Sequence, residues 1–89
     1  MKNSLKNKKD ITNLFENGKK TIIGNVMIIK ATGTDGYLFT VSKKKFKRAV
    51  DRNRIKRLMR ESVKGIDPVG SIGLVFIGNE MPNTININL

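Results

Sequence analysis

The chain has 89 residues, a mass of 10.0 kDa and a net charge of +11, and it contains neither cysteine nor histidine. That composition excludes disulfides, thiol nucleophiles and cysteine-based metal sites, and it removes the usual general base at neutral pH. One domain over residues 1–89 is expected, and a polyanion is the natural partner for so much positive charge.

The seven carboxylates are scattered along the chain, so a hydrolase working by protein side chains alone is not expected, and no catalytic or metal-binding residue is assigned. No apolar run reaches the roughly 18 residues needed to span a bilayer. The first ten residues are basic and polar, which argues against a secretory signal. A cytoplasmic protein with no membrane partner is the expectation.

In chain order, residues 1–8 read as a mobile basic arm. Asp10 is placed to cap a short helix running to Gly18, with Ile11, Leu14 and Phe15 on one face. Residues 21–30 are rich in Ile, Val and Met on both faces, which suits one strand covered on both sides. Two glycines and an aspartate mark a turn over 32–36, and a second strand follows over 37–42 with Tyr37, Phe39 and Val41 on one face. A helix comes next: Ile55, Leu58, Met59, Ser62 and Val63 recur at helical spacing and predict a core-facing stripe. Gly65 ends it, Asp67-Pro68 opens a loop, and 72–77 reads as a buried strand. The tail over 78–89 is polar with isolated Ile and Leu, and carries no clear element. Tyr37, Phe39 and Phe76 are assigned to the core. This order predicts an α+β fold, a two-layer sandwich with a helix packed on a small mixed sheet.

Ten of the eighteen Lys and Arg residues fall between positions 43 and 60, opposed there only by Asp51. Such a field repels itself, whereas a polyanion gains from it by releasing condensed counterions. A general bias toward Lys, Asn and Ile explains scattered lysines, but not five arginines that all lie between Arg48 and Arg60. On the helix, Asn53, Lys56, Arg57, Arg60 and Lys64 form a polar stripe opposite the apolar one. Asp51 reads as a helix-start charge.

Residues 41–61 read Val-Ser-Lys-Lys-Lys-Phe-Lys-Arg-Ala-Val-Asp-Arg-Asn-Arg-Ile-Lys-Arg-Leu-Met-Arg-Glu. This string closely resembles the protein subunit of bacterial ribonuclease P. That family carries Ser- or Ala-Lys-Lys at a strand end, a short variable spacer, Ala-Val or Ala-His, one variable residue, then Arg-Asn-Arg-Ile-Lys-Arg and Arg-Glu. Leu5, Asp10, Phe15, Gly18 and Lys19 fit the family's opening helix and turn, and the resemblance covers roughly residues 5–78.

The resemblance implies a left-handed strand-helix-strand crossover around the Arg-Asn-Arg helix. It further implies a catalytic RNA as partner, with Mg2+ expected on that RNA and no cofactor on the protein. The protein would act as a monomer in the ribonucleoprotein. There it would bind precursor tRNA, touch the 5′ leader and stabilise the folded RNA. The residues that correspond to RNA contacts are Lys43, Lys44, Arg48, Arg52, Asn53, Arg54, Lys56, Arg57 and Arg60. Arginine suits this task because its planar fork bridges phosphate oxygens and stacks on bases.

Phe15 and Phe46 are the leader-binding candidates. Phe15 can equally serve the core, and Phe46 is either a packing anchor or a stacking platform. The chain departs from the family pattern at Ile11, where an aromatic is usual, and at Val26, Ile28 and Ile29, where aromatics often line the cleft face. Base stacking on the leader is therefore expected to be reduced. The family's last helix is expected to be missing or vestigial over 79–89. Alternative readings are a structural, ribosomal-type RNA-binding protein, a DNA-binding module using the basic helix, and, weakest, a membrane-surface helix.

Overall fold

The computed structural model describes residue 5 and residues 7–87. Helix α1 (Lys8–Asn17) is followed by strands β1 (Lys19–Ile23), β2 (Val26–Ala31) and β3 (Gly36–Val41), helix α2 (Ala49–Ser62) and strand β4 (Ser71–Phe76). One four-stranded sheet forms in the order β1-β2-β4-β3. β1 and β2 are antiparallel, as are β2 and β4, whereas β3 and β4 run parallel. Since β3 and β4 are parallel neighbours, the chain must cross over between them, and α2 is that crossover.

Side-chain alternation splits the strands between two cores. Val26 and Ile28, Tyr37 and Val41, and Ile72, Leu74 and Phe76 pack with Ile55, Met59 and Val63 of α2. Ile29, Met27, Leu38 and Val75 face the other way, toward Leu14 and Ile11 of α1. The α+β fold with a small mixed sheet expected from the sequence is what forms, but in three layers rather than two, because α1 and α2 cover opposite faces of the sheet. The departure positions are likewise divided: Val26 and Ile28 lie in one core, Ile29 in the other, and all three are buried.

Three local expectations change. The apolar run over 21–30 is not one strand but a hairpin, turned at Gly24 and Asn25. Gly24 has φ +59°, a left-handed conformation that favours glycine. Its outer strand β1 is exposed throughout, with Ile22 63% accessible, because it lies at a sheet edge outside the helices' main packing: α1 packs on β2 and β4, and α2 packs on the other edge strand, β3.

The cap of α1 is Asn7 rather than Asp10: the Lys9 N–H donates to Asn7 Oδ1 at 2.9 Å, and Asp10 sits inside the first turn. Gly18 does end the helix, but in an extended conformation, φ −73° and ψ 147°. A Cβ there would collide with Ile29 Cγ2 and the Leu14 carbonyl oxygen, so glycine is required by close approach.

The basic arm expected over 1–8 falls partly on residues 1–4 and 6, which lie outside the described residues. Leu5 is buried against Leu14 and Ile29, and its N–H donates to the Tyr37 carbonyl at 2.8 Å, on the outer edge of β3. In the tail, Ile87 is buried and Met81 and Ile85 pack against the α2-side core without forming a helix among the described residues.

Candidate nucleic-acid interface

The cationic segment forms two pieces, a loop over residues 42–48 and helix α2. The helix is amphipathic as the spacing predicts: Ile55, Met59 and Val63 are buried, while Asn53, Arg54, Arg57 and Arg60 are exposed. Lys56 is half-buried at the border. Asp51 stands in the first turn and Arg60 in the last, both on the side of the helix dipole that favours them. Val50, Asp51, Asn53, Arg54, Arg57 and Arg60 line a shallow depression of about 490 Å³ along the outer helix face. Val50, 61% exposed, has no place in the sequence-derived site. Its spacing from Asn53, Arg54 and Arg57 (i, i+3, i+4, i+7) was the signal for it.

The loop is held in place rather than loose. The Lys44 N–H donates to Ser42 Oγ at 3.2 Å, and the Phe46 N–H to the Ser42 carbonyl at 3.1 Å. Lys45 turns back to donate from Nζ to the Ile77 carbonyl at 2.8 Å. Arg52 donates from Nη1 to the carbonyls of both Phe46 and Lys47, at 2.8 Å each. Lys43, Lys44, Lys47 and Arg48 remain exposed. Arg52 therefore differs from the other arginines: its guanidinium is engaged by the protein's own backbone.

Phe46 requires a correction as a leader-binding candidate. Its ring is 8% exposed and packs on Phe76 at 5.8 Å between centroids, so no face is open to a base. Phe15 is 38% exposed and keeps an accessible ring on α1. Arg60 lies over the Phe39 ring, 5.7 Å from its centroid, and Phe39 stacks on Tyr37 at 5.8 Å. Contacts of this kind hold a guanidinium in place at modest cost while leaving its edge free to donate. The Tyr37 hydroxyl donates to the Ile66 carbonyl at 2.8 Å. Its pKa is raised above the ordinary 10.0, first by burial and then by the nearby Asp67 charge.

Among the described residues, no three His, Cys, Asp or Glu side chains converge to hold a metal ion. None of the helices described is long and apolar enough to cross a membrane. A broad field of cations, bordered by a loop fixed through its own backbone, can neutralise phosphates along a strand. The fold and this face together define a small α+β protein with one strongly cationic surface.

Comparison with known proteins narrows that class. The profile of the Ribonuclease P family matches residues 1–81. The chain belongs to the ribonuclease P protein family. It is 34% identical over 61 residues to the ribonuclease P protein component of Porphyromonas gingivalis, across 62% of this chain and 44% of that protein. Against the corresponding protein of Chlorobaculum tepidum, identity is 74% over 27 residues, or 30% of this chain and 18% of that one. The chain thus spans less than half the length of these curated relatives. The solved RNase P protein of Staphylococcus aureus shares the fold, with a TM-score of 0.70 at 24% identity, over 82% of this chain and 72% of that one.

Proposed function

We propose that this chain serves as the protein subunit of ribonuclease P, assisting a catalytic RNA in removing the 5′ leader of precursor tRNA. The observation that carries this reading is the two-faced helix α2, whose inner stripe is locked into the core while Asn53, Arg54, Arg57 and Arg60 stand outward. Membership in the family supplies the identity of the polyanion. Lys43, Lys44 and Arg48 extend the surface along the loop, and Lys56 borders it.

In this role the protein screens phosphates of ribonuclease P RNA and of precursor tRNA, and carries out no bond-making itself. The Mg2+ ions needed for cleavage would belong to the RNA, where they activate the attacking water. Dispersed carboxylates on the protein suit that division. Phe15 is the remaining stacking candidate for the leader, and a single base stacked there would contribute about 1–3 kcal/mol. One copy per ribonucleoprotein and a cytoplasmic location complete the proposal.

The test is cleavage of precursor tRNA by ribonuclease P RNA at low magnesium, with and without the protein. A large protein-dependent gain in rate or substrate affinity is expected. RNA binding with no gain in cleavage would replace this function by that of a structural RNA-binding protein.

A further inference from the structure

The role of Arg52 separates it from its neighbours in the Arg-Asn-Arg motif. Asn53 and Arg54 point outward and are exposed, whereas Arg52 is half-buried. It lies three residues before Ile55 and seven before Met59, at the border of the core-facing stripe. From there Nη1 reaches two successive carbonyls, those of Phe46 and Lys47, at 2.8 Å each. Those carbonyls belong to the basic loop, between the exposed side chains of Lys43 and Lys44 on one side and Lys47 and Arg48 on the other.

We infer that Arg52 is a positioning residue, clamping the basic loop to α2 so that the loop cations and the helix cations form one surface. It binds no phosphate of its own. The physical case is one of repulsion and entropy. Six adjacent positions hold five cations, Lys43, Lys44, Lys45, Lys47 and Arg48, which drive one another apart and favour an open loop. Closing it requires internal attachments, among them the Phe46 ring in the core, Lys45 on the Ile77 carbonyl, and Arg52 on two carbonyls. Among the described side-chain hydrogen bonds, those of Arg52 join the loop to the helix that carries the rest of the site. A charged donor on two carbonyls is among the stronger neutral-acceptor arrangements. A loop held beforehand loses less entropy when it binds.

The inference rests on the proposed RNA-binding role, and a two-part experiment separates the two. The first part needs no RNA: amide hydrogen exchange of the free protein, wild type against Arg52→Ala. The Phe46 amide, bonded to the Ser42 carbonyl, should exchange roughly tenfold or more faster in the variant, while Ile55 and Leu74 keep their protection. Arg52→Lys keeps the charge on a shorter side chain and should lose the same protection. It also serves if Arg52→Ala fails to fold.

The second part measures affinity for ribonuclease P RNA in a double-mutant cycle of Arg52→Lys with the loop pair Lys43→Ala and Lys44→Ala. Positioning predicts coupling: Arg52→Lys weakens binding in the wild-type background and adds little once the loop cations are gone. Unchanged Phe46 exchange would overturn the inference. So would near wild-type affinity of Arg52→Lys combined with an independent, additive loss in Arg52→Ala, the behaviour of a residue that binds phosphate directly. A loosened loop in the Arg52 variants, together with a wild-type protein that does not bind the RNA, would instead retire the proposed function and leave the clamp standing.

Discussion

The two faces of the sheet are built on different principles. Among the described residues, twelve buried apolar residues form one core on the α2 face, with Phe39, Met81 and Ile85 around it, whereas the α1 face buries three apolar side chains, Leu5, Leu14 and Ile29. The α2 side is fixed by volume, the α1 side by close approach. Helix α1 has a single buried residue, Leu14, and comes near the sheet because Gly18 has no side chain. The difference shows how a small basic protein tolerates its own charge. The helix that carries the cations is the one with the deepest apolar anchor, so repulsion across its outer face is opposed by burial on its inner face.

That comparison can be broken most forcefully from the inner stripe. Met59→Ala removes a fully buried side chain from the larger core and should cost about 2–5 kcal/mol, read by denaturant unfolding. In a domain this small, loss of cooperative folding is within that range. Next in size is Gly18→Ala. The added methyl collides with Ile29 and the Leu14 carbonyl, and an overpacking cost of about 1–3 kcal/mol is expected. Its effect should centre on α1, so exchange protection falls first at Leu14 and only later at Ile55.

Tyr37 sharpens the same contrast at about 1 kcal/mol, the typical worth of its hydrogen bond to Ile66. Its pKa is raised in the folded protein, so the stability it contributes is fully present below pH 10.0 and declines as pH rises through the folded value. Tyr37→Phe should flatten that alkaline decline relative to wild type. Because Tyr37 is the chain's one tyrosine, phenolate absorbance reads its titration directly. The smallest effects on stability belong to the outer face. Arg60→Ala gives up the interaction with Phe39, worth about 0.5–1 kcal/mol, whereas Arg57→Ala should melt with the wild type. Both should weaken RNA binding.

How much of this was legible depended on whether a residue's fate was set locally. The α2 stripe of Ile55, Met59 and Val63 is a periodic signal, and periodic signals survive folding. Strand β4 was legible as a short apolar run, whereas the glycine signal at Gly65 overshot the end of α2, which stops at Ser62 and leads into a turn over 63–65. The hairpin was not: Ile22 and Ile23 extend an apolar run, and their exposure follows from β1 lying at the sheet edge away from the strands on which α1 and α2 pack, a property of topology. Asn7 and Asp10 are both capable caps, and which one serves depends on where Leu5 anchors the chain. Phe46, surrounded by lysines, owes its burial to Phe76, thirty positions away. The motif presents the arginines of α2 as a set. Arg52 leaves that set because its helical position borders the core, a signal present in the sequence but hidden by the motif.

In the proposed role α2 divides its labour, the inner stripe holding the fold and the outer face holding RNA. Affinity for ribonuclease P RNA across a salt series, for wild type and the Arg54→Ala, Arg57→Ala double variant, tests it most directly. A steep wild-type salt dependence is expected. The double variant should show weaker binding, a slope shallower by about 0.7–0.9 for each phosphate no longer neutralised, and an unchanged melting curve. Unchanged affinity and slope in a natively folded double variant would contradict it.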